Sequence, residues 1–281
     1  MALDIRPLHD ALGAEVRGLD LTRPLSDETL DQLNAAFVRY HLLCLRSAPL
    51  TAQDFAALAR NFGEPQEQLH SNRHHPDVPE VSVLESTYDC AADKPDDLAS
   101  VRLSGWHTDD SYFAVPAKAT MLQILVAPDA GGETLFCNTA SAYDDLDAAQ
   151  RHRLDSLQAV HRFDTPRAKG LAEALVGDDE ITPDVTHPLA RRLEETGRKA
   201  IYFNPNRTDH VVGMARKQSD ALLDQLHKHM TRARYRYDHR WQLGDVLLWD
   251  NRCLIHAVNT DYPVGQKRLH QRILLRGERP V

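Results

Sequence analysis

Apolar positions first recur along the chain at helical spacing. Ser26 precedes Leu30, Leu33 and Phe37, and Thr51 precedes Phe55, Leu58 and Phe62, with Gly63 following as a stop. A hydroxyl residue just ahead of an apolar series with this period is the mark of an N-capped amphipathic helix. Each such helix has one apolar face and is expected to cover something larger. Between them Leu42–Leu45 reads as a short buried strand, and residues 81–84 read as another after a loop rich in His and Pro. Residues 117–127 predict a long strand through Met121, Ile124 and Val126, after which Gly131 and Gly132 turn the chain into a strand over 134–137.

Farther along, residues 140–157 have helical spacing with many charges. The stretch 164–186 is acidic, broken by prolines and weakly periodic, which predicts a long loop and a candidate lid. Strands are expected over 200–203, 246–249 and 269–275, with a helix from Ser219 to about Arg232 whose buried stripe is Leu222, Leu223, Leu226 and Met230. No internal repeat or linker interrupts the 281 residues, which predicts a single domain. Strands without regular βαβ alternation favour an antiparallel barrel or jelly roll over a Rossmann sheet.

Composition narrows the function. A formal charge of −8 argues against broad attraction to nucleic acid or anionic lipid, which leaves small molecules as the expected ligands. Charges occupy the N-terminal positions where a signal peptide needs an apolar run, and no segment reaches transmembrane length, so a soluble cytoplasmic protein is expected. Cys44, Cys90, Cys137 and Cys253 form no Cys-x-x-Cys pair and are expected to be buried, reduced thiols.

The sharpest chemical feature is His107-Thr108-Asp109. On an extended strand, residues i and i+2 face the same way, so this imidazole and carboxylate can bind one ion. The pair alone is weak, because a chain with 15 histidines and this many aspartates holds about one or two His-x-Asp pairs by chance. The second pair, His75-Pro76-Asp77, lies between prolines and reads as a surface turn. His256 follows the apolar strand 246–249 through Asp250-Asn251-Arg252 and is the best third ligand, against the plainer reading of a core histidine. Two histidines and a carboxylate on one face of an ion leave positions open for a chelating co-substrate and oxygen, as non-haem iron(II) requires. The triad by itself is also compatible with a zinc or manganese hydrolase.

Beyond the triad, the chain carries a series of motifs: Gly13-Ala14-Glu15-Val16 and Gly18-Leu19-Asp20-Leu21, Arg60-Asn61-Phe62-Gly63, Trp106-His107-Thr108-Asp109, Gly131-Gly132-Glu133-Thr134, Trp249-Asp250-Asn251-Arg252 and the segment 268–272. In these motifs and their order it resembles the TauD/TfdA family of 2-oxoglutarate-dependent dioxygenases. It implies a mainly β double-stranded β-helix, a cupin-like jelly roll with flanking helices. It also implies Fe(II), 2-oxoglutarate and O2 as cofactor and co-substrates, succinate and CO2 as co-products, and a homo-oligomer, dimer or tetramer.

Residue by residue, the resemblance places the metal on His107, Asp109 and His256 and the distal carboxylate of 2-oxoglutarate on Arg268 and Thr134. Arg272, four residues after Arg268, would face the same interior and meet the substrate anion or help frame the co-substrate site, which points to a sulfonate, alkyl sulfate, aryloxyalkanoate or amino-acid-like substrate. Asp109 keeps the carboxylate that related halogenases lack, which implies hydroxylation. Leu103 occupies the position of the asparagine that meets the substrate amine in taurine dioxygenase, which makes taurine itself a poorer fit. Substrate contacts are otherwise expected from one of His70, His74 and His75, and from Tyr112, Phe113 and Phe203. Trp249 and Asp250 are expected to support the ligands from behind. A metal-dependent hydrolase and a non-catalytic ligand-binding jelly roll are the alternatives. The hydrolase would need the same ligands but not the pairing of Arg268 with Thr134, and 2-oxoglutarate would not affect it; the binding protein would tolerate a damaged triad, whereas all three ligands are present.

Overall fold

The computed structural model describes residues 3–66, 73–87, 105–168 and 182–281. The chain opens with a hairpin of β1 (Asp4–Pro7) and β2 (Ala14–Arg17), followed by α1 (Asp27–Tyr40), β3 (Leu42–Leu45) and α2 (Ala52–Ala59). Next come β4 (Pro65–Gln66), β5 (His74–His75), β6 (Val78–Thr87), β7 (Ala119–Val126), β8 (Thr134–Asn138), α3 (Thr139–Asp144), α4 (Ala148–Asp155) and β9 (Gln158–His161). The remainder is β10 (Val185–Pro188), β11 (Ala190–Arg192), β12 (Lys199–Ile201), β13 (Thr208–Val211), α5 (Arg216–Met230), β14 (Arg236–His239), β15 (Val246–Asp250), β16 (Leu254–Val258) and β17 (Lys267–Leu275).

Two sheets form the jelly roll. The larger runs β1-β2-β3-β15-β7-β17-β6-β5, with β4 on β17, and the smaller runs β14-β8-β16. The pairings are antiparallel except β2 with β3, and strands from both ends of the chain interleave: β15 lies between β3 and β7, and β17 between β7 and β6.

Both faces of the large sheet are covered, which is why its central strands are apolar at successive positions. In β15 Val246 and Leu248 face a cluster with Phe37, Phe55 and Leu58 of α1 and α2, while Leu247 and Trp249 face an inner cluster with Phe136 and Leu254 of the small sheet. The two outer helices start where the hydroxyl residues predict: Ser26 accepts from Thr29 N at 3.2 Å and Thr51 from Asp54 N at 3.1 Å. On the far side of the small sheet, α3 and α5 bury Tyr143, Leu222, Leu223 and Leu226 against Cys137 and Ile255.

Several elements differ from the sequence expectations. The second helix ends at Ala59, leaving Phe62 in the turn beyond it. The stretch 140–157 is two helices, because Asp147 accepts from Gln150 N in a capping box that starts α4 afresh. β6 extends well past 81–84 on both sides, to Val78–Thr87, paired along β17. β16, which carries His256, was not expected. Of the stretch 164–186, residues 169–181 lie outside the described residues, and 185–186 already belong to β10. Cys44, Cys137 and Cys253 are buried and free, and Cys90 lies outside the described residues. Among the described residues no helix is long and apolar enough to cross a membrane.

Candidate active site

His107 and His256 meet as a backbone pair. His107 N donates to His256 O at 2.9 Å and His256 N to His107 O at 2.7 Å, an isolated antiparallel bridge on the edge of β16. Residues that exchange both bonds place their side chains on one face, and the two rings lie 4.1 Å apart. Asp109, two residues on, completes the group: its Oδ1 is 3.8 Å from His107 Nε2 and its Oδ2 is 4.0 Å from His256 Nε2. One donor atom from each of the three lies within 4.8 Å of the others. With metal–ligand bonds of about 2.0–2.2 Å, donors sharing an ion lie roughly 3–4.4 Å apart, so these separations close on one ion with small adjustments.

The protonation chemistry fits a divalent cation. His107 Nδ1 lies 2.8 Å from Gly105 O, which assigns that nitrogen the hydrogen and leaves Nε2 with its lone pair toward Asp109. Burial lowers the pKa of both imidazoles, that of His256 to about 3, with His107 adding to the effect and Asp109 opposing it. Burial works against the Asp109 carboxylate, but His256, Arg272, His107 and the Thr120 hydroxyl outweigh it and hold its pKa below the ordinary value. Two neutral imidazoles and a carboxylate are what a hard-to-intermediate divalent ion takes.

A polar relay anchors Asp109 from behind. Thr120 Oγ1 donates to Asp109 Oδ2 at 2.5 Å and accepts from Asn251 Nδ2 at 2.8 Å, and Trp249 Nε1 donates to Asn251 Oδ1 at 2.9 Å. Trp249 also packs its ring 4.8 Å from that of His256. Thr120 was not expected at the site, and Asn251 was expected only as part of the Trp249–Arg252 motif, with no role of its own. The available signal was Thr120 itself, a polar residue inside an apolar strand covered on both faces, which must find a partner there. Asp250 is a correction: it pairs with Arg252 through Nε at 2.9 Å and Nη2 at 2.8 Å, and Arg252 continues to Glu194 and Glu195. Its backbone turn, not its carboxylate, serves the site.

Arg268 and Thr134 are also brought together. Arg268 is buried on β17, donating through Nε to Gly132 O at 3.1 Å and through Nη2 to Thr134 Oγ1 at 3.2 Å. Trp241 Nε1 donates to the same oxygen at 3.0 Å. With two donors on its lone pairs, the Thr134 hydroxyl has its own hydrogen to offer an acceptor. Arg272 reaches the His107, Asp109 and His256 group, its Nη1 lying 3.7 Å from Asp109 Oδ1.

The expected substrate residues divide. Tyr112 packs 4.6 Å from Phe113 and 5.1 Å from Phe163, and its hydroxyl donates to Asp110 Oδ1 at 3.3 Å, one residue from the triad. Phe203 is packed instead in the cluster behind the small sheet with Ile201, Leu222 and Ile255, because β12 continues into that layer. His74 and His75 form β5 at the edge of the large sheet, and Asp77 follows in a turn, as the reading of His75-Pro76-Asp77 anticipated. His70 and Leu103 lie outside the described residues.

Known proteins share this architecture. A sulfate ester dioxygenase dependent on alpha-ketoglutarate (2-oxoglutarate), from Pseudomonas putida, is 31% identical over 100% of this chain and 92% of its own. An (S)-phenoxypropionate/alpha-ketoglutarate dioxygenase from Sphingobium herbicidovorans is 32% identical over 97% of this chain and 95% of its own. A solved structure of a taurine dioxygenase from Burkholderia xenovorans superposes with a TM-score of 0.84 at 31% identity, covering 99% of this chain and 91% of that one. The sequence profile described as "Taurine catabolism dioxygenase TauD, TfdA family" matches residues 4–274, and the chain belongs to that family.

Proposed function

We propose that this 2-oxoglutarate-dependent dioxygenase holds Fe(II) with His107, Asp109 and His256, binds the distal carboxylate of 2-oxoglutarate with Arg268 and Thr134, and hydroxylates a small anionic substrate recognised by Arg272. The observation that carries the reading is the convergence of the triad from two segments far apart in sequence, with Arg272 at 3.7 Å from Asp109 and Arg268 on the same face of the same strand. When bound, the iron couples the decarboxylation of 2-oxoglutarate to succinate and CO2 with insertion of oxygen into a C–H bond.

The chain's own residues set the conditions. The bridged histidines and the Thr120-held carboxylate would hold the metal through three donors, a set that would leave it room for exchangeable ligands. Arg268 offers a planar fork and Thr134 a hydroxyl, which together orient a carboxylate and favour a dicarboxylic keto acid over a monocarboxylic one. Arg272 supplies a cation beside the metal. Relatives named for sulfate esters and phenoxypropionate have anionic substrates, and this cation supports the same class here. The aromatic group of Tyr112, Phe113 and Phe163 supports a water-poor wall next to the triad. We read the chain as one catalytic domain working in the cytoplasm, where three buried free thiols stay reduced, and as a homo-oligomer in keeping with its family.

The test is oxygen uptake and succinate formation by Fe(II)-loaded enzyme with 2-oxoglutarate, across alkyl sulfates, sulfonates, aryloxyalkanoates and amino acids. One anionic class is expected to stimulate uptake, Asp109→Ala to abolish it, and Arg272→Leu to raise the KM for that class about 10- to 100-fold. Turnover of any substrate without 2-oxoglutarate would favour a metal hydrolase and overturn the reading.

A further inference from the structure

Between the two arginines of β17 stands a residue for which the site so far has no use. His270 is fully buried, and both of its ring nitrogens lack a hydrogen-bond partner among the described residues. Alternation along β17 puts residues 268, 270 and 272 on one face. Along β6 their partners are Ser86, Leu84 and Ser82, and Leu84 packs in the inner cluster between the sheets. His270 therefore points into the jelly-roll interior with Arg268 and Arg272. Its ring meets the Trp241 ring at 4.9 Å in a T-shaped contact, and Trp241 is the residue that donates to Thr134. Burial and then the charge of Arg268 push its pKa well below the ordinary value, so the ring is neutral, with one N–H to give.

A buried donor with nothing to bond is costly, and a protein that keeps one at a ligand site is holding it for the ligand. Its strand partners Leu84 and Ile124 show that an apolar side chain suits this layer, so packing alone does not call for an imidazole.

We propose that His270 is a third donor to the co-substrate, its ring N–H hydrogen-bonding the distal carboxylate of 2-oxoglutarate alongside Arg268 and Thr134. The inference rests on the reading of Arg268 and Thr134 as the co-substrate pocket. It makes the pocket more selective for a keto acid with a second carboxylate than that pair alone would.

The experiment measures binding, without turnover, to Mn(II)-loaded protein by calorimetry, using 2-oxoglutarate, its analogue N-oxalylglycine, and 2-oxobutyrate, which lacks the distal carboxylate. His270→Leu is expected to weaken the two dicarboxylates about 10- to 100-fold, the range for a hydrogen bond to a charged group. Affinity for 2-oxobutyrate and for Mn(II) should stay within about two-fold of wild type, and His270→Gln, which restores a donor, should recover part of the loss. Wild-type affinity in His270→Leu, or an equal loss for all three acids, overturns the inference. Arg268→Met is measured in parallel: if it too binds 2-oxoglutarate normally, the pocket reading itself fails, whereas loss in Arg268→Met alone removes only the role of His270. Should His270→Leu not fold, wild-type protein labelled with 15N-histidine and loaded with Zn(II) decides. N-oxalylglycine must then shift the His270 ring resonance, and an unmoved resonance sinks the idea.

Discussion

Replacing Thr120 with valine tests whether the relay behind Asp109 sets the metal site. The side chains are nearly equal in volume, so the change removes one hydroxyl and adds one methyl. Two bonds are lost: the donation to Asp109 Oδ2 at 2.5 Å and the acceptance from Asn251 Nδ2 at 2.8 Å. A hydrogen bond to a carboxylate contributes about 1.5–3 kcal/mol, and leaving the buried Asn251 amide unpaired costs about 1–3 kcal/mol more. The extra methyl returns only about 0.8 kcal/mol, so polar loss dominates. Part of that loss falls on the fold and part on the orientation of Asp109, and outer partners of metal ligands typically govern about 10- to 100-fold of affinity. Thr120→Val should therefore melt below wild type and bind Mn(II) about 10- to 100-fold more weakly, while Thr120→Ser, which keeps the hydroxyl, stays near wild type. Calorimetric titration of metal into freshly chelated protein reads this directly. A folded Thr120→Val protein with wild-type Mn(II) affinity would refute the claim that the relay aims the carboxylate.

Two further outcomes follow from particular contacts. Gly131 has φ of +71°, and a Cβ there would come within 1.7 Å of Asp261 O, so Gly131→Ala should cost about 3 kcal/mol or more in thermal melts and loosen the neighbouring Gly132 carbonyl that holds Arg268. Stability of the metal-free protein should fall with acid between about pH 6.5 and 4. Seven histidines, His41, His107, His161, His187, His239, His256 and His270, have pKa values lowered first by burial, that of His187 to about 4. The unfolded chain then takes up protons that the folded one refuses, so the stability is whole above 6.5 and lost as pH drops toward the folded values, roughly 3 kcal/mol for His187 alone. Asp110, pushed up to about 6 by burial and by Asp109, acts in the opposite direction but is a single group. Urea titrations at pH 7.5, 6 and 5 measure the sum, and stability that does not fall across them would contradict it.

What could be read before the fold was known follows a physical boundary. α1 and α2 were legible because a cap and an apolar stripe are properties of consecutive residues. The helical spacing over 140–157 was legible too, but it persists across the break where the Asp147 capping box starts a second helix. Phe203 looked like a pocket residue because sequence shows that a side chain is apolar without showing which of two layers receives it.

By itself the sequence determined the local chemistry: the nearness of His107 and Asp109, the periodicities, and the motif series shared with the family, whereas the extended strand expected under that pair is only a single bridge residue followed by a turn. Only the tertiary structure decided that His256 stands opposite His107 in a backbone bridge, that Thr120, Asn251 and Trp249 line up behind Asp109, and that Asp250 turns away to Arg252. Those relations depend on the register between strands distant in the chain. A one-residue slip would reverse every side chain, and register is settled by packing two sheets against each other, which no short stretch of residues encodes.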